Sequence, residues 1–236
     1  MRRRILRTLG TLLALAGALT LVWTLLVWQW QDPFTALYTT WKQRQLTSQY
    51  DDLNRSYRPV TSHESPSAER RGVALAAKRY RLNAKRGQAI GRLRIPRMGV
   101  SMIFVNGTDH DTLKKGPGRD GRTFMPGENR LVYIAGHRTT YLAPFSDIDS
   151  LRNGDRVTVE VPYATFVYTV TRHRIVKATD LSVLRSPRHE VLELQACHPR
   201  FFASHRYIAY ARLARVEPRG GTPYEPAQAA AQASGR

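Results

Sequence analysis

The chain has 236 residues, with 37 Lys and Arg against 18 Asp and Glu, so its formal net charge is +19. This length fits one domain with flanking segments. The charge is compatible with nucleic-acid binding, with attraction to anionic lipid or wall polymer, or with a merely solvated arginine-rich surface. No basic run alternates with aromatic residues as single-strand binders require, so we expect no nucleic-acid partner. The single cysteine excludes a disulfide within the chain.

An apolar stretch follows a basic N-terminus. Residues 8–31 carry no charge and are rich in Leu, Ala, Val and Trp, and they follow Arg2, Arg3, Arg4 and Arg7. About 20 such residues suffice for a helix to cross a bilayer. Basic flanks stay cytoplasmic, which predicts a single-pass anchor over residues 1–31 with everything after it outside. The alternative is a cleaved signal peptide, whose apolar core is usually shorter, at ~7–15 residues.

The segment from 32 to 86 is expected to connect this anchor to a folded domain. Leu37, Trp41, Leu46 and Leu53 recur at loosely helical spacing, which predicts an amphipathic helix over residues 33–53 lying near the membrane. Residues 55–87 hold few large apolar groups and are interpreted as a basic linker with a helical patch at 68–81. At the other end, residues 218–236 are expected to be a disordered tail.

Residues 87–217 have the pattern of a β domain. Short runs of β-type residues recur between turn signals such as Asn153-Gly154 and Pro117-Gly118. Val157, Val159 and Val161 alternate with polar residues, as expected for a strand with one buried face. Seven or eight strands in ~130 residues predict a mainly β fold, either a closed barrel or a sandwich.

Three residues at strand ends could together perform acyl transfer. His137 follows one predicted strand, Cys197 ends another and Arg206 begins a third. A thiolate is a strong nucleophile, a histidine can move its proton, and a guanidinium can stabilise an oxyanion. Taken singly, each has an ordinary interpretation, because a lone cysteine is usually a small core residue. Cys197, however, abuts His198-Pro199, where proline interrupts strand pairing.

Metal or cofactor chemistry is not indicated. The other histidines lack the spacing of a zinc site, and the chain has no phosphate-binding loop, dinucleotide fingerprint or Gly-x-Ser-x-Gly motif. We therefore expect neither a metal nor a cofactor.

Five ordered segments resemble the sortases, and most closely the class E sortases. They are Ile-Gly-Arg-Leu-Arg-Ile-Pro at 90–96, Leu-Lys-Lys-Gly-Pro-Gly at 113–118, Pro-Gly-Glu-Asn-Arg at 126–130, the block from Ile-Ala-Gly-His-Arg-Thr-Thr-Tyr at 134–141 to Asn-Gly-Asp at 153–155, and Leu-Gln-Ala-Cys-His-Pro at 194–199 followed by Arg206. The resemblance implies an eight-stranded β-barrel. It also implies Cys197 as nucleophile, His137 as general acid and base, and Arg206 as the group that stabilises the oxyanion.

The resemblance also implies substrates and partners. Sortases cleave an LPxTG-like sorting signal, for class E an LAxTG-like one, on exported proteins, and they transfer it to a cell-wall amine. Thr139 and Tyr141, which follow the histidine, and Ala196, which precedes the cysteine, are predicted to bind substrate.

Ala196 stands where the family usually has Thr, which motivates an alternative. The chain could be a catalytically weak sortase-like barrel that binds wall polymer or a partner protein. An L,D-transpeptidase fits less well, because those enzymes place the histidine shortly before the cysteine.

Overall fold

The computed structural model describes residues 2–29, 33–58 and 65–226. Helix α1 (Arg2–Gln29) contains the apolar window at Arg2–Leu25, which is long enough to cross a membrane and is not buried against the rest of the protein. Two further long helices, α2 (Pro33–Ser56) and α3 (Pro66–Asn83), precede the strands. A short helix, α4 (His110–Leu113), lies between two of the strands.

Eight strands form a closed barrel, which confirms the predicted fold and eliminates the sandwich. They are β1 (Ala89–Ile95), β2 (Val100–Asn106), β3 (Gly118–Arg119), β4 (Leu131–Ala135), β5 (Arg156–Val161), β6 (Ala164–Lys177), β7 (Val191–His198) and β8 (His205–Pro218). Their order around the barrel is β1-β2-β3-β4-β7-β8-β6-β5, and pairing of β5 with β1 closes the ring. Closure gives each strand a partner on both sides, although the short β3 pairs with only two residues of β2 and two of β4.

The alternation seen in the sequence determines which side chains fill the barrel. Val157, Val159 and Val161 of β5 are buried, whereas Thr158 and Glu160 between them are half-buried. The same period of two places Phe166 and Tyr168 of β6 in the core. β5 and the first half of β6 thus bury one face each, and this fixes their register because a slip by one residue would reverse both faces. β4 is buried on both faces.

Helix α3 corrects the prediction of a basic linker. Ser65 caps its first turn by accepting a hydrogen bond from the backbone N–H of Ala68 at 3.2 Å, and Pro66 starts the helix. Val73 and Ala77 are buried in the barrel core cluster, and the Tyr80 hydroxyl donates to the Ile90 carbonyl oxygen at 3.0 Å. The expected helical patch lies inside this longer helix. Residues 59–64 of the predicted linker lie outside the described residues.

Helix α2 also packs on the barrel. Leu46 and Tyr50 are buried together with Ala89, Ile103 and Val105 of the first two strands. Of the other apolar positions of the predicted pattern, Leu37 and Trp41 are exposed and Leu53 is half-buried. The helix is therefore present as expected, while its position near a membrane stays a prediction.

The start of the predicted tail is ordered. Tyr224 forms an isolated bridge with Val216 of β8 and packs against the core. Residues 218–226 therefore do not match the prediction of disorder, because one aromatic side chain provides the buried contact that the composition did not suggest. Residues 227–236 lie outside the described part of the chain.

A buried carboxyl group lies at the start of β7, at the opposite end of that strand from Cys197. Glu190 accepts hydrogen bonds from the Tyr168 hydroxyl at 2.6 Å and from the backbone N–H groups of Gly127 at 2.8 Å and Asn129 at 3.2 Å. Burial nevertheless raises the pKa of this carboxyl to about 7. In the folded state the proton is therefore held to a higher pH than in the unfolded chain.

We predict that Glu190→Gln flattens the pH dependence of barrel stability. A raised carboxyl pKa contributes stability below the unfolded value of about 4.5, and this is lost as pH rises through about 7. Between these values the wild type should lose on the order of 3 kcal/mol of unfolding free energy relative to the variant. Denaturant unfolding at pH 4.5 and pH 8 measures this difference. Glu217→Gln, at an exposed position, is the control, and equal slopes for both variants would contradict the prediction.

Candidate active site

Strand pairing brings Cys197 and Arg206 face to face. In the antiparallel pair β7–β8, Cys197 is directly opposite Arg206. Opposed residues in such a pair project from the same face of the sheet, with Cβ atoms about 5 Å apart. The two predicted residues are therefore held side by side by backbone hydrogen bonds rather than by a flexible loop.

His137 reaches the same rim through a parallel pairing. Strand β4 runs parallel to β7, with Ala135 aligned with Gln195. The backbone N–H of Gly136 donates to the Gln195 carbonyl oxygen at 3.0 Å and extends this alignment. His137 and Cys197 each lie two residues beyond the aligned pair, so they emerge at the same height.

All three residues line one cleft, with a volume of ≈ 250 Å³. Strands β4 and β7 contribute Tyr133, Ala135 and Gln195 to its lining. One wall comes from the β6–β7 connection and is mostly apolar, contributed by Ala178, Leu181, Val183 and Leu184. At another part of the lining Arg122 forms an ion pair with Asp120 at 2.7 Å. The cleft therefore combines an apolar side with charged and polar groups.

His137 is held in a largely desolvated position. Its carbonyl oxygen accepts a hydrogen bond from the Phe145 N–H at 3.0 Å, and the Tyr141 ring lies 5.0 Å from its imidazole, centroid to centroid. Its Nε2 atom is buried without a hydrogen-bond partner among the described residues. Burial, with a smaller contribution from His110, lowers the pKa of His137 below its usual value. The neutral imidazole, which can accept a proton, is thereby favoured.

Arg206 is fixed at one end of its guanidinium. Its Nη1 donates to the carbonyl oxygens of Ala203 at 2.6 Å and His205 at 2.9 Å. The side chain is half-buried in the cleft wall next to the cysteine. A guanidinium held in this way can present its positive charge to a carbonyl oxygen at Cys197.

Ala196 does not lie in the cleft. It is fully buried and belongs to the barrel core, because alternation along β7 directs it away from Cys197. This position argues for a role through packing in the core, and the predicted role of Ala196 in substrate binding stays a prediction.

Tyr141 and Thr139 lie in the loop after His137. Neither residue lines the cleft, although Tyr141 contacts the His137 ring and Thr139 is half-buried nearby. Their predicted roles in substrate binding stay predictions.

Arg138 is a site residue that the sequence reasoning did not single out. Its side chain is 2% exposed and forms an ion pair with Asp149 at 2.5 Å. The same guanidinium donates to the carbonyl oxygen of Cys197 at 3.3 Å and contacts Nδ1 of His198 at 3.0 Å. It thus ties the loop after His137 to the end of β7. The only sequence signal for it is its place directly after the histidine.

Residues suited to a metal ion are not grouped in the described parts of the chain. No three His, Cys, Asp or Glu side chains there come together as a ligand set.

We predict that the His137 imidazole titrates with a midpoint below 6.5. Burial disfavours the charged imidazolium, so the neutral form should persist to lower pH than in an exposed histidine. Histidine NMR signals followed against pH give the midpoint, with His137→Gln to assign the resonance. The same signal in urea is the internal reference for the unfolded chain. A midpoint at or above 6.5 in the folded protein would refute this prediction.

The chain is similar to characterised proteins across the barrel. A family model described as a sortase domain matches residues 93–214, more than half of the chain. Over 130 residues the chain is 34% identical to Sortase D of Bacillus subtilis (strain 168), covering 53% of this chain and 64% of that protein. It therefore spans less than two thirds of that relative's length.

Solved structures share the architecture. Sortase E1 from Streptomyces coelicolor, solved with a tripeptide in the active site, superposes with a TM-score of 0.53 at 28% identity and covers 57% of this chain and 93% of that one. A Clostridium perfringens sortase D5 transpeptidase has the same fold, with a TM-score of 0.59 at 24% identity, and covers 73% and 98%. The resemblance to class E is consistent with these neighbours. The family match and the barrel together establish that this chain belongs to the sortase family.

Proposed function

We propose that this protein is a cysteine transpeptidase in which Cys197, His137 and Arg206 carry the chemistry. The observation that supports this most directly is the register Cys197↔Arg206, with His137 on the same cleft. Each residue type matches one requirement of acyl transfer. Membership of the sortase family supports the same reaction.

In the first half-reaction, Cys197 loses its proton to neutral His137, and the thiolate attacks a peptide carbonyl carbon bound in the cleft. Arg206 stabilises the negative charge that develops on the carbonyl oxygen. The protonated imidazole then donates its proton to the leaving amine as the C–N bond breaks. A thioester between Cys197 and the acyl fragment remains.

The second half-reaction runs the same steps with a new amine. An incoming amine attacks the thioester carbonyl carbon and transfers a proton to His137, which returns it to the departing Cys197 sulfur. The desolvation of His137 favours this step because the neutral ring is the form that accepts the proton. The net result is exchange of one amide for another.

We further propose that the acyl donor is an LAxTG- or LPxTG-like sorting signal of an exported protein and the acceptor a cell-wall amine. The apolar side chains of the β6–β7 connection suit the aliphatic residues of such a signal. Helix α1 would anchor the enzyme with its arginine cluster in the cytoplasm and its barrel outside the cell.

The alternative of a weak, binding-only barrel loses one of its two motives. Its first motive was the loss of a threonine hydroxyl at Ala196, but that position faces the core, so a hydroxyl there would not reach the cleft. The remaining motive is the net charge of +19, which favours contact with anionic lipid or wall polymer. This attraction is expected for an active enzyme as well as for an inactive one.

We predict that transfer of an LAxTG peptide to an amine depends on Cys197 and Arg206. Cys197→Ala should lower kcat/KM by several orders of magnitude because the nucleophile is lost. Arg206→Lys keeps the positive charge but loses the planar guanidinium with its fixed donors. It should lower kcat/KM roughly a hundredfold, mainly through kcat. Arg212→Lys, an exposed position on the same strand, is the matched control. Amide exchange by Cys197→Ala at the wild-type rate would reject the mechanism.

A further inference from the structure

The loop that follows His137 adopts an unusual backbone conformation. Tyr141, Leu142 and Ala143 have φ values of +54°, +61° and +36° in succession. Side-chain-bearing residues avoid this left-handed region, so three in a row form a strained turn that needs support from its surroundings.

Part of this support comes from within the loop. The backbone N–H of Ala143 donates to the Thr140 carbonyl oxygen at 2.9 Å, and Phe145 donates to His137 at 3.0 Å. The remaining support comes from helix α2, more than a hundred residues earlier in the chain. The N–H of Tyr141 donates to Oγ1 of Thr35 at 3.0 Å, and the ring of Tyr38 meets the Tyr141 ring edge-on, at 6.4 Å between centroids.

Helix α2 is itself attached firmly to the barrel, so it can act as a fixed support. The buried Thr39 hydroxyl donates to the Lys114 carbonyl oxygen at 2.8 Å. The side-chain amide of Gln43 pairs with Ile103 of β2, accepting from its N–H at 2.8 Å and donating to its carbonyl oxygen at 2.9 Å. Further along the helix, Leu46 and Tyr50 pack in the apolar cluster with residues of β1 and β2.

The supported loop contacts the His137 imidazole through Tyr141. Tyr141 lies against His137 at 5.0 Å between ring centroids, with an interplanar angle of 39°. The ring of Tyr141 therefore limits both the orientation of the imidazole and its access to water. Contacts run without a break from the barrel through α2 and Tyr141 to His137.

We propose that helix α2 is a positioning element of the active site, in which Thr35 and Tyr38 hold Tyr141 against His137. This rests on the proposed role of His137 in transpeptidation. The segment between the apolar helix and the barrel is then part of the catalytic domain and more than a tether. Thr35 and Tyr38 act through Tyr141 and need not touch the substrate.

Thr35→Val in the full-length chain tests this inference, because valine keeps the shape of threonine and loses the hydroxyl acceptor. Thr40→Val is the matched control, since the Thr40 hydroxyl donates to Ala36 within the same helix at 2.8 Å. Thr35→Ser retains the acceptor. We expect Thr35→Val to lower kcat/KM about tenfold, the effect of one lost hydrogen bond, and Thr40→Val and Thr35→Ser to remain within about twofold of wild type.

A second readout separates positioning from stability and from the proposed function. The NMR titration midpoint of His137 should move toward 6.5 in Thr35→Val, because a displaced Tyr141 admits water, while the thermal unfolding midpoint stays equal to that of Thr40→Val. This shift is measurable even if the protein fails to transfer any peptide tested. An unchanged His137 midpoint would overturn the inference. So would a rise in activity in Thr35→Val, because α2 would then obstruct the site.

Discussion

The antiparallel pairing of β7 with β8 is the constraint on which the site depends. It places Cys197 opposite Arg206 and Ala196 opposite Tyr207, so that one face of the pair fills the core and the other lines the cleft. A slip of one residue would bury Cys197 and expose the core-facing side chains. Closure of the barrel prevents such a slip, because β7 also pairs with β4, and β8 also pairs with β6.

The histidine is positioned by a different kind of interaction. His137 lies beyond the end of β4, in a loop whose geometry is set by side chains. Arg138 ties the loop to the Cys197 carbonyl oxygen and to Asp149, and Tyr141 rests on helix α2 through Thr35. Cys197 and Arg206 are thus fixed by the sheet, whereas His137 is held by partly buried polar contacts of its loop. Such contacts are costly to leave unsatisfied, which gives the loop a defined position.

Sequence reasoning predicted those features that depend on local pattern. Alternation identified the strands, and the position of Cys197 two residues before a proline separated it from an ordinary core cysteine. The same alternation, applied to Leu194, Ala196 and Cys197, places Ala196 with Leu194 on the core side of β7 and Cys197 on the other. Helix α3 resembles a linker in the sequence because its buried face consists of small residues such as Ala76 and Ala77, which give little apolar signal.

Other features depend on contacts between distant residues, which no local pattern reveals. Arg138 is one of many arginines, and only the folded chain shows that it is buried against the end of β7. The hydrogen bond between Thr35 and Tyr141 joins residues 106 positions apart. Its partners are common residue types, and the strained turn that it supports contains no glycine to mark it.

The proposal that Cys197 forms a covalent acyl intermediate can be tested most directly by intact-protein mass spectrometry. The full-length protein is incubated with an LAxTG peptide without added amine, quenched in acid and digested to locate the modification. We predict a mass increase equal to the peptide fragment that ends at the threonine minus one water, as expected for a thioester, on Cys197 alone, and its disappearance when an amine is added. A peptide that is cleaved while Cys197 stays unmodified, or an adduct that persists in the presence of amine, would contradict the account.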